Sequence, residues 1–348
     1  MAHDAKREDY QRLSLRYALE LDKSGATDAA RAFAAFGRRF AQNRDSLPQS
    51  DADRAFHLVT LATEVIDHRL PFASDAQAEA LIRRGRDLLD EAVSLDPSCW
   101  DALRMLAATR SASVDERYGY LVEQEDNVRA ACEAERDRSL EELGLERGAL
   151  GASIAMRPYW RWLASMAEDA LICGRNRASI DAAERLLASD PSDLSDVRFT
   201  LAYALAKLED EKGLNELASR YESISPLRPA DDAWILLARC AVAHRLCNYA
   251  AARAMLVRLL ESYPGGAALL VRQGELPDGE FARLRVPPYS EDELVLAVSE
   301  GIVLLQEGND RSGRGVFGLW VANTVSELDP EAAKEAARMG KDKGASTS

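Results

Sequence analysis

The sequence predicts an all-α protein of antiparallel helical hairpins, stacked into a right-handed α-α superhelix. Three observations predict it. Ala, Leu, Arg and Glu outweigh the β-branched residues, and Gly (20) and Pro (12) are few among 348 residues, a composition that favours helix. Apolar residues recur at spacings of three and four along most of the chain, the stripe of an amphipathic helix. Stretches of this kind close at Pro97, Pro191 and Pro264, so three proline-closed units share one template.

The clearest unit runs from Arg157 to Pro191. Pro158 fits a first helical position, where a missing N–H costs nothing. Leu163, Met166, Ala167 and Ala170 form one stripe, and Gly174 supplies a backbone that can turn after the last helical residue. Ile180, Ala183, Leu186 and Leu187 rebuild the stripe on a second helix. Asp190–Pro191 stops it, because proline disfavours helix at the residue before it. The tetratricopeptide pattern puts small residues near the eighth, twentieth and twenty-seventh places and proline near the thirty-second. Counted from Trp160, those places hold Ala167, Ser179, Leu186 and Pro191. Leu186 is bulkier than the usual alanine.

Taken in order, Tyr10, Leu13, Tyr17 and Leu21 mark a helix from about Asp9 to Leu21. Ser24–Gly25 breaks it, and Ala29 to Phe40 forms a second, with Phe33, Phe36 and Phe40 inward. A polar loop with Pro48 precedes a helix from Asp51 to His68. Pro71 and Ser74–Asp75 separate that from Ala76 to Leu95. A helix begins at Trp100, and Val114 to Leu143 is the most charged, with a narrow stripe of Tyr118, Leu121, Val128 and Cys132. Gly144, Gly148 and Gly151 break the chain before the template hairpin. Asp193–Leu208 with Lys212–Tyr221, then Asp231–Cys247 with Tyr249–Tyr263, make two further hairpins, separated by a loop with Pro226 and Pro229. In the last, Cys240 and Ala252 take the small-residue places. Gly265 to Pro288 reads as irregular. Ser290 and Glu293 then form a capping box for a helix to Gln306. A glycine-rich turn, Gly308 to Gly318, leads to Leu319–Leu328. The organisation read from this is N-terminal hairpins over 1–70, a repeat array over 71–264, an irregular connection with capping helices over 265–330, and a disordered tail over 331–348.

Composition narrows the function. Hydrophobic residues at 47% and charged residues at 29% exclude a disordered chain. A formal net charge of −14, with no basic run, argues against a nucleic-acid partner. Five scattered cysteines without a CxxC suit free thiols in a reducing cytosol. The start MAHDAKREDY has no apolar signal core. No run approaches the ~20 apolar residues of a membrane span. A cytoplasmic protein, with no membrane partner and no cofactor, is expected.

The runs LDPSCWDAL, RPYWRWLA, SDPSDLSDVRFTLAYALAKLED, SYPGGAALLVRQGELP and PPYSEDELVLAVSEG occur in that order. They resemble soluble bacterial relatives of the family named for suppression of tumorigenicity seven, which are similar to tetratricopeptide-repeat proteins. The resemblance covers Leu88 to Trp320. Members typically read RPYMRA and NPND in the matching places. This chain carries RPYWRWLA, with Asp190–Pro191 and Tyr263–Pro264 in place of Asn-Pro. It also lacks the membrane segments of eukaryotic members. The resemblance implies an all-helical repeat fold and no activity that transfers to any residue.

Candidate chemistry is sparse. His57, Glu64 and His68 fall on one face of a regular helix at ~100° per residue. Imidazole and carboxylate are zinc ligands, and a metal-dependent enzyme would use these three; a solvated i, i+4 pair is the blander reading of Glu64 and His68. Cys240 and Cys247 flank His244, a setting for a reactive thiolate or for a buried core cysteine. Tyr159, Trp160, Arg161 and Trp162 would suit a binding surface or, more commonly, helix-to-helix packing. Gly308 to Gly318 lacks the GxxxxGK[ST] pattern of a phosphate loop.

The favoured reading is a groove. First helices of stacked hairpins line a concave side, and their outward places hold Asp101, Arg104, Arg161, Glu168, Phe199, Tyr203, Trp234 and His244. Aromatics beside mixed charges suit an extended peptide or another protein's helix. Ala164 and Glu168 stand where chaperone-tail clamps carry Lys and Asn, so that ligand is not expected. A non-enzymatic scaffold or adaptor that binds protein or peptide is the expected function. The alternatives are the metal-dependent enzyme and a repeat-containing transcriptional regulator, which would need a basic module that neither end supplies.

Overall fold

A computed structural model describes residues 4–24, 29–70, 73–224, 231–273, 286–308, 314–334 and 336. Among them all regular structure is helical. The chain divides within one helical run into two compact units, His3–Ser165 and Met166–Ser348. The expected boundaries after residues 70 and 264 therefore fall inside units.

In the first unit α1 (Ala5–Ser24), α2 (Ala29–Asn43), α3 (Asp51–Thr63), α4 (Asp75–Leu95) and α5 (Trp100–Arg110) precede the long run α6 (Val114–Ile172). Leu13, Phe36 and Leu47 form one small core with Tyr17 and Phe40, as the aromatic spacing predicts. Ser50 starts α3 with a capping box, accepting from the Asp53 N–H at 3.2 Å while Asp53 accepts from the Ser50 N–H at 2.8 Å. The α3 stripe Ala55, Val59 and Ala62 then meets Leu88, Leu89 and Ala92 of α4, and Ala102 and Leu106 of α5. Beyond Thr63 the backbone passes into a π-helical segment, Glu64–Arg69.

The run α6 is not one rod. At 1.5 Å per residue, Leu121 and Trp162 would lie roughly 60 Å apart in a straight helix. Instead the Trp162 indole N–H donates to the Leu121 carbonyl at 2.9 Å, and the Tyr159 hydroxyl donates to Glu125 at 3.1 Å. The run folds back as two antiparallel arms. Glycine permits the close approach at Gly151, where an added methyl would sit 2.6 Å from Leu143 Cδ1 and 3.1 Å from the Ser139 Cβ, whereas one on Gly148 would meet the Leu140 Cα at an ordinary 3.4 Å. The reversal falls where the three glycines predict it. Pro158 is a correction, since it lies inside the second arm and not at its start. There it deprives the Ile154 carbonyl of its helical donor.

The second unit stacks further hairpins. The end of α6 pairs with α7 (Asn176–Ser189), α8 (Val197–Lys207) with α9 (Glu211–Ile224), and α10 (Ala233–Arg245) with α11 (Tyr249–Ser262). Two hairpins are bridged between the predicted small-residue places. Ser179 Oγ donates to the Ala167 carbonyl at 2.7 Å, and Cys240 Sγ donates to the Ala252 carbonyl at 3.4 Å. All three hairpins turn through one left-handed residue, Gly174 (φ 71°), Glu209 (φ 58°) and Cys247 (φ 59°). The following N–H closes each turn onto the carbonyl five residues back: Arg175 to Ala170, Asp210 to Leu205, and Asn248 to Ala243. Only the first carries the glycine that the αL position favours. Cys247→Gly is therefore expected to stabilise the protein by about 1 kcal/mol, because the Cβ clash is removed from an exposed residue. Urea titration checks this, and an unchanged midpoint would contradict the turn geometry.

Four helices stop alike. Asp96, Asp190, Tyr263 and Asp329, each before a proline, have φ between −125° and −136° and ψ between 75° and 99°. Each aspartate also accepts a backbone N–H, from Ser98, Ser192 and Ala332 respectively. The sequence reading missed the fourth stop, Asp329–Pro330.

Further helices described in the unit are α12 (Ala267–Arg272), α13 (Glu291–Glu300), α14 (Ile302–Leu305) and α15 (Val316–Leu328). The segment read as irregular thus contains α12. The helix read to Gln306 is two, jointed at Gly301. Residues 331–334 and 336, read as disordered, are helical. The rest of that tail, the loop at Pro226 and Pro229, Gly25, Pro71, 274–285 and 309–313 lie outside the described residues. Among the described residues no helix is long and apolar enough to cross a membrane.

Candidate functional site

The eight predicted groove residues divide by unit, and most do not face outward. In the first unit Asp101 and Arg161 are buried. The Arg161 guanidinium grips Asp101 through two bonds of 2.6 and 2.5 Å, and donates to Glu8 of α1 at 3.0 Å. Glu8 also accepts from Arg12 at 2.8 Å and stands 3.4 Å from Arg157. Burial pushes the Asp101 carboxyl up, but Arg161 and then Arg104 outweigh it and hold the group below its usual range. Arg104 is half-buried and donates to Ser165 Oγ at 3.2 Å. The outward place on a single repeat is filled by α1, whose Glu8 is 153 positions from Arg161, so no local pattern connects them.

In the second unit Phe199, Tyr203 and Trp234 are buried, which corrects their placement on an open groove. The Phe199 and Trp234 rings stack at 3.8 Å. Trp234 donates its indole N–H to Glu300 of α13 at 2.7 Å, and the Tyr203 hydroxyl donates to the Ala297 carbonyl at 2.6 Å. Thus α13 covers the faces of α8 and α10 expected to hold a ligand. Arg198, ahead of Phe199, lies 4.4 Å over its ring and pairs with Asp193 and Asp196, each at 2.8 Å. Burial pushes the Asp193 carboxyl above its usual range despite Arg198. At the N-terminal end of α13, Glu293 accepts from the Tyr263 hydroxyl at 2.9 Å and the Tyr289 N–H at 2.5 Å. Ser290 caps α13 by accepting from the Glu293 N–H at 3.1 Å, but Glu293 bonds the Tyr289 N–H and not that of Ser290, so the expected capping box is only half formed. Glu168 is half-buried.

The other candidates separate too. His57 Nδ1 lies 2.9 Å from Asp9, and Glu64 pairs with Lys6 at 2.7 Å. The shared face of His57, Glu64 and His68 assumed a regular helix, whereas a π turn opens at Glu64 and changes the angle per residue. Among the described residues no three His, Cys, Asp or Glu side chains group to hold a metal ion. Cys240 is buried, and burial pushes its thiol far up; Cys247 is exposed at its turn. Tyr159, Trp160 and Trp162 are core residues.

Four of the exposed large apolar side chains among the described residues fall at one edge of the second unit, where α10 turns into α11 beside the start of α15. Leu246 is 50% exposed, Tyr249 51%, Val316 74% and Leu319 47%. Behind them His244 sits against three rings, Tyr249 at 5.4 Å, Phe317 at 5.3 Å and Trp320 at 5.0 Å. Burial, and then Arg245, lower the His244 pKa, which favours the neutral ring. Of the predicted groove only His244 borders this surface. A sequence signal existed: Phe317, Val321 and Val325 make one buried stripe on α15, and Val316, Leu319 and Trp320 make a second apolar stripe that no core needs. No family model matches the chain, and no curated protein is significantly similar to it.

Proposed function

We propose that the chain is a helical-repeat protein, tetratricopeptide-like in its hairpins, that binds another protein or a peptide and performs no chemistry of its own. The observation that carries this reading is the apolar edge of Leu246, Tyr249, Val316 and Leu319. Single exposed apolar residues are ordinary, but four at one edge, beside the rings of His244, Phe317 and Trp320, suit an interaction surface. Tyrosine and tryptophan add contact area at small entropic cost. The ligand-holding face is thus moved from the predicted groove to the hairpin edge. Val316→Ser with Leu319→Ser tests it, since both side chains face outward and the fold loses little. Partners captured by the wild-type protein from its own cell extract are expected to be lost by this variant and kept by Arg83→Ser, an exposed control in the first unit. An identical partner set for all three proteins would overturn the reading.

A further inference from the structure

We infer that the apolar edge of the second unit takes a basic segment, a peptide with apolar side chains on one side and Lys or Arg on the other. The inference rests on the docking role proposed for that edge and adds the chemistry of the occupant. Charge carries it. The turn from α8 to α9 reads Leu208-Glu209-Asp210-Glu211, and all four side chains are exposed. Burial and Arg245 depress Lys207, the residue before them, to about 8. Both cations spend their charge inward on one carboxylate. Lys207 Nζ donates to Glu307 at 2.6 Å and to the Val303 carbonyl at 3.2 Å, and Arg245 pairs with Glu307 as well. Their side chains are 12% and 19% exposed, against 42% for Glu307. Further along α15, Glu327 is 68% exposed and pairs with Arg253 of α11 at 3.0 Å. Lys212 of α9 points to Glu216 on its own helix at 3.4 Å. Arg314 donates to the Val271 carbonyl at 2.8 Å.

The exposed charge bordering the edge is weighted to carboxylate, with Glu209, Asp210, Glu211, Glu307 and Glu327 set against Lys212 (87% exposed) and Arg253 (43%). Arg175 and Arg177 are exposed at the neighbouring hairpin turn and share a recess with Leu208 of the acidic turn. The whole chain adds a net charge of −14, which attracts a cationic segment from a distance and opposes an acidic one or a second copy. At contact, apolar side chains cover Leu246, Tyr249, Val316 and Leu319, and Lys or Arg reaches Glu209, Glu211, Glu307 or Glu327.

Three labelled helical peptides test this on the full chain. They share one Leu/Trp face and carry Lys, Gln or Glu on the other, and fluorescence anisotropy reads their binding. The Lys peptide is expected to bind at least about ten-fold more tightly than the Glu peptide, with the margin shrinking as salt rises. Val316→Ser with Leu319→Ser is expected to abolish binding. Glu209→Gln with Glu211→Gln and Glu327→Gln is expected to weaken the Lys peptide and leave the Gln peptide unchanged. Equal binding of Lys and Glu peptides, lost on mutating the apolar edge, would overturn the basic preference and leave the docking role standing. A Lys peptide that binds the apolar-edge variant as well as the wild type sits elsewhere, and overturns the inference. Binding by none of the three also overturns it, while the captured partner set still decides the docking role. Concentration-dependent dimerisation that Leu319→Ser abolishes would make a second copy the occupant and overturn it as well.

Discussion

Arg161→Met is expected to destabilise the His3–Ser165 unit by about 3–5 kcal/mol, the usual cost of removing one partner from a buried ion pair. Methionine fills much of the same space, so the loss is charge more than volume. Asp101 would lose both bonds of its guanidinium partner, and Glu8 would lose the 3.0 Å bond to α1's far neighbour. Arg12 remains on Glu8, but Asp101 keeps only Arg104, 3.9 Å away. The pH dependence is the sharper test. In the wild type Arg161 holds Asp101 below its ordinary pKa. A lowered folded pKa stabilises at neutral pH, and that stabilisation disappears as pH falls through the folded value. In the variant burial acts on Asp101 with far less opposition and raises its pKa, so acid relieves a strained charge. The difference between the two proteins in urea should therefore narrow from pH 7 towards about pH 4. Adding Asp101→Asn to Arg161→Met should recover part of the loss, because an apolar or neutral pair costs less than one stranded charge. A gap that stays constant with pH would mean that Asp101 is not held by Arg161.

Local chemistry was legible in the sequence, and distant covering was not. The spacing of Tyr10, Leu13, Phe36 and Phe40 announces the first aromatic core. Three glycines announce the reversal within α6, and Gly174 announces its turn. Glu209 and Cys247 occupy the same αL position without the residue that would reveal it. Pro158 suits a helix start and is tolerated in an interior, so its place was ambiguous. The groove failed for a different reason. Inward and outward were assigned from a template of one repeat, while α8 and α10 have almost no polar face: VRFTLAYALA is buried throughout. A helix apolar all round is covered on every side, which was readable from the residues. Which element covers it was not, since Tyr203 and Ala297 are 94 positions apart. Arithmetic at 100° per residue likewise fails once a π turn enters, as at Glu64.

Trp234→Ala is expected to cost about 3–5 kcal/mol, as large aromatic truncations in a core do, and Trp234→Phe about 1–3 kcal/mol, for loss of the indole donor to a buried carboxylate. The two substitutions separate two roles of one side chain. Phenylalanine keeps a ring against Phe199 and surrenders the 2.7 Å bond to Glu300. Alanine surrenders both. If α13 is held on α8 and α10 by that bond and by Tyr203, then Trp234→Phe should act locally first. Amide exchange across Glu291–Glu300 should speed up by about ten-fold for each 1.4 kcal/mol lost, ahead of any change in the α3–α4 hairpin of the other unit. Tyr203→Phe should do the same, because it frees the Ala297 carbonyl. Unchanged exchange in α13, together with a lower global midpoint, would show that packing by Leu294, Ala297 and Val298 alone fixes the helix. The polar bonds would then set only its register. In either outcome the face expected to hold an outside ligand is occupied by the chain's own helix, so a partner on that face would first have to displace α13 against these costs.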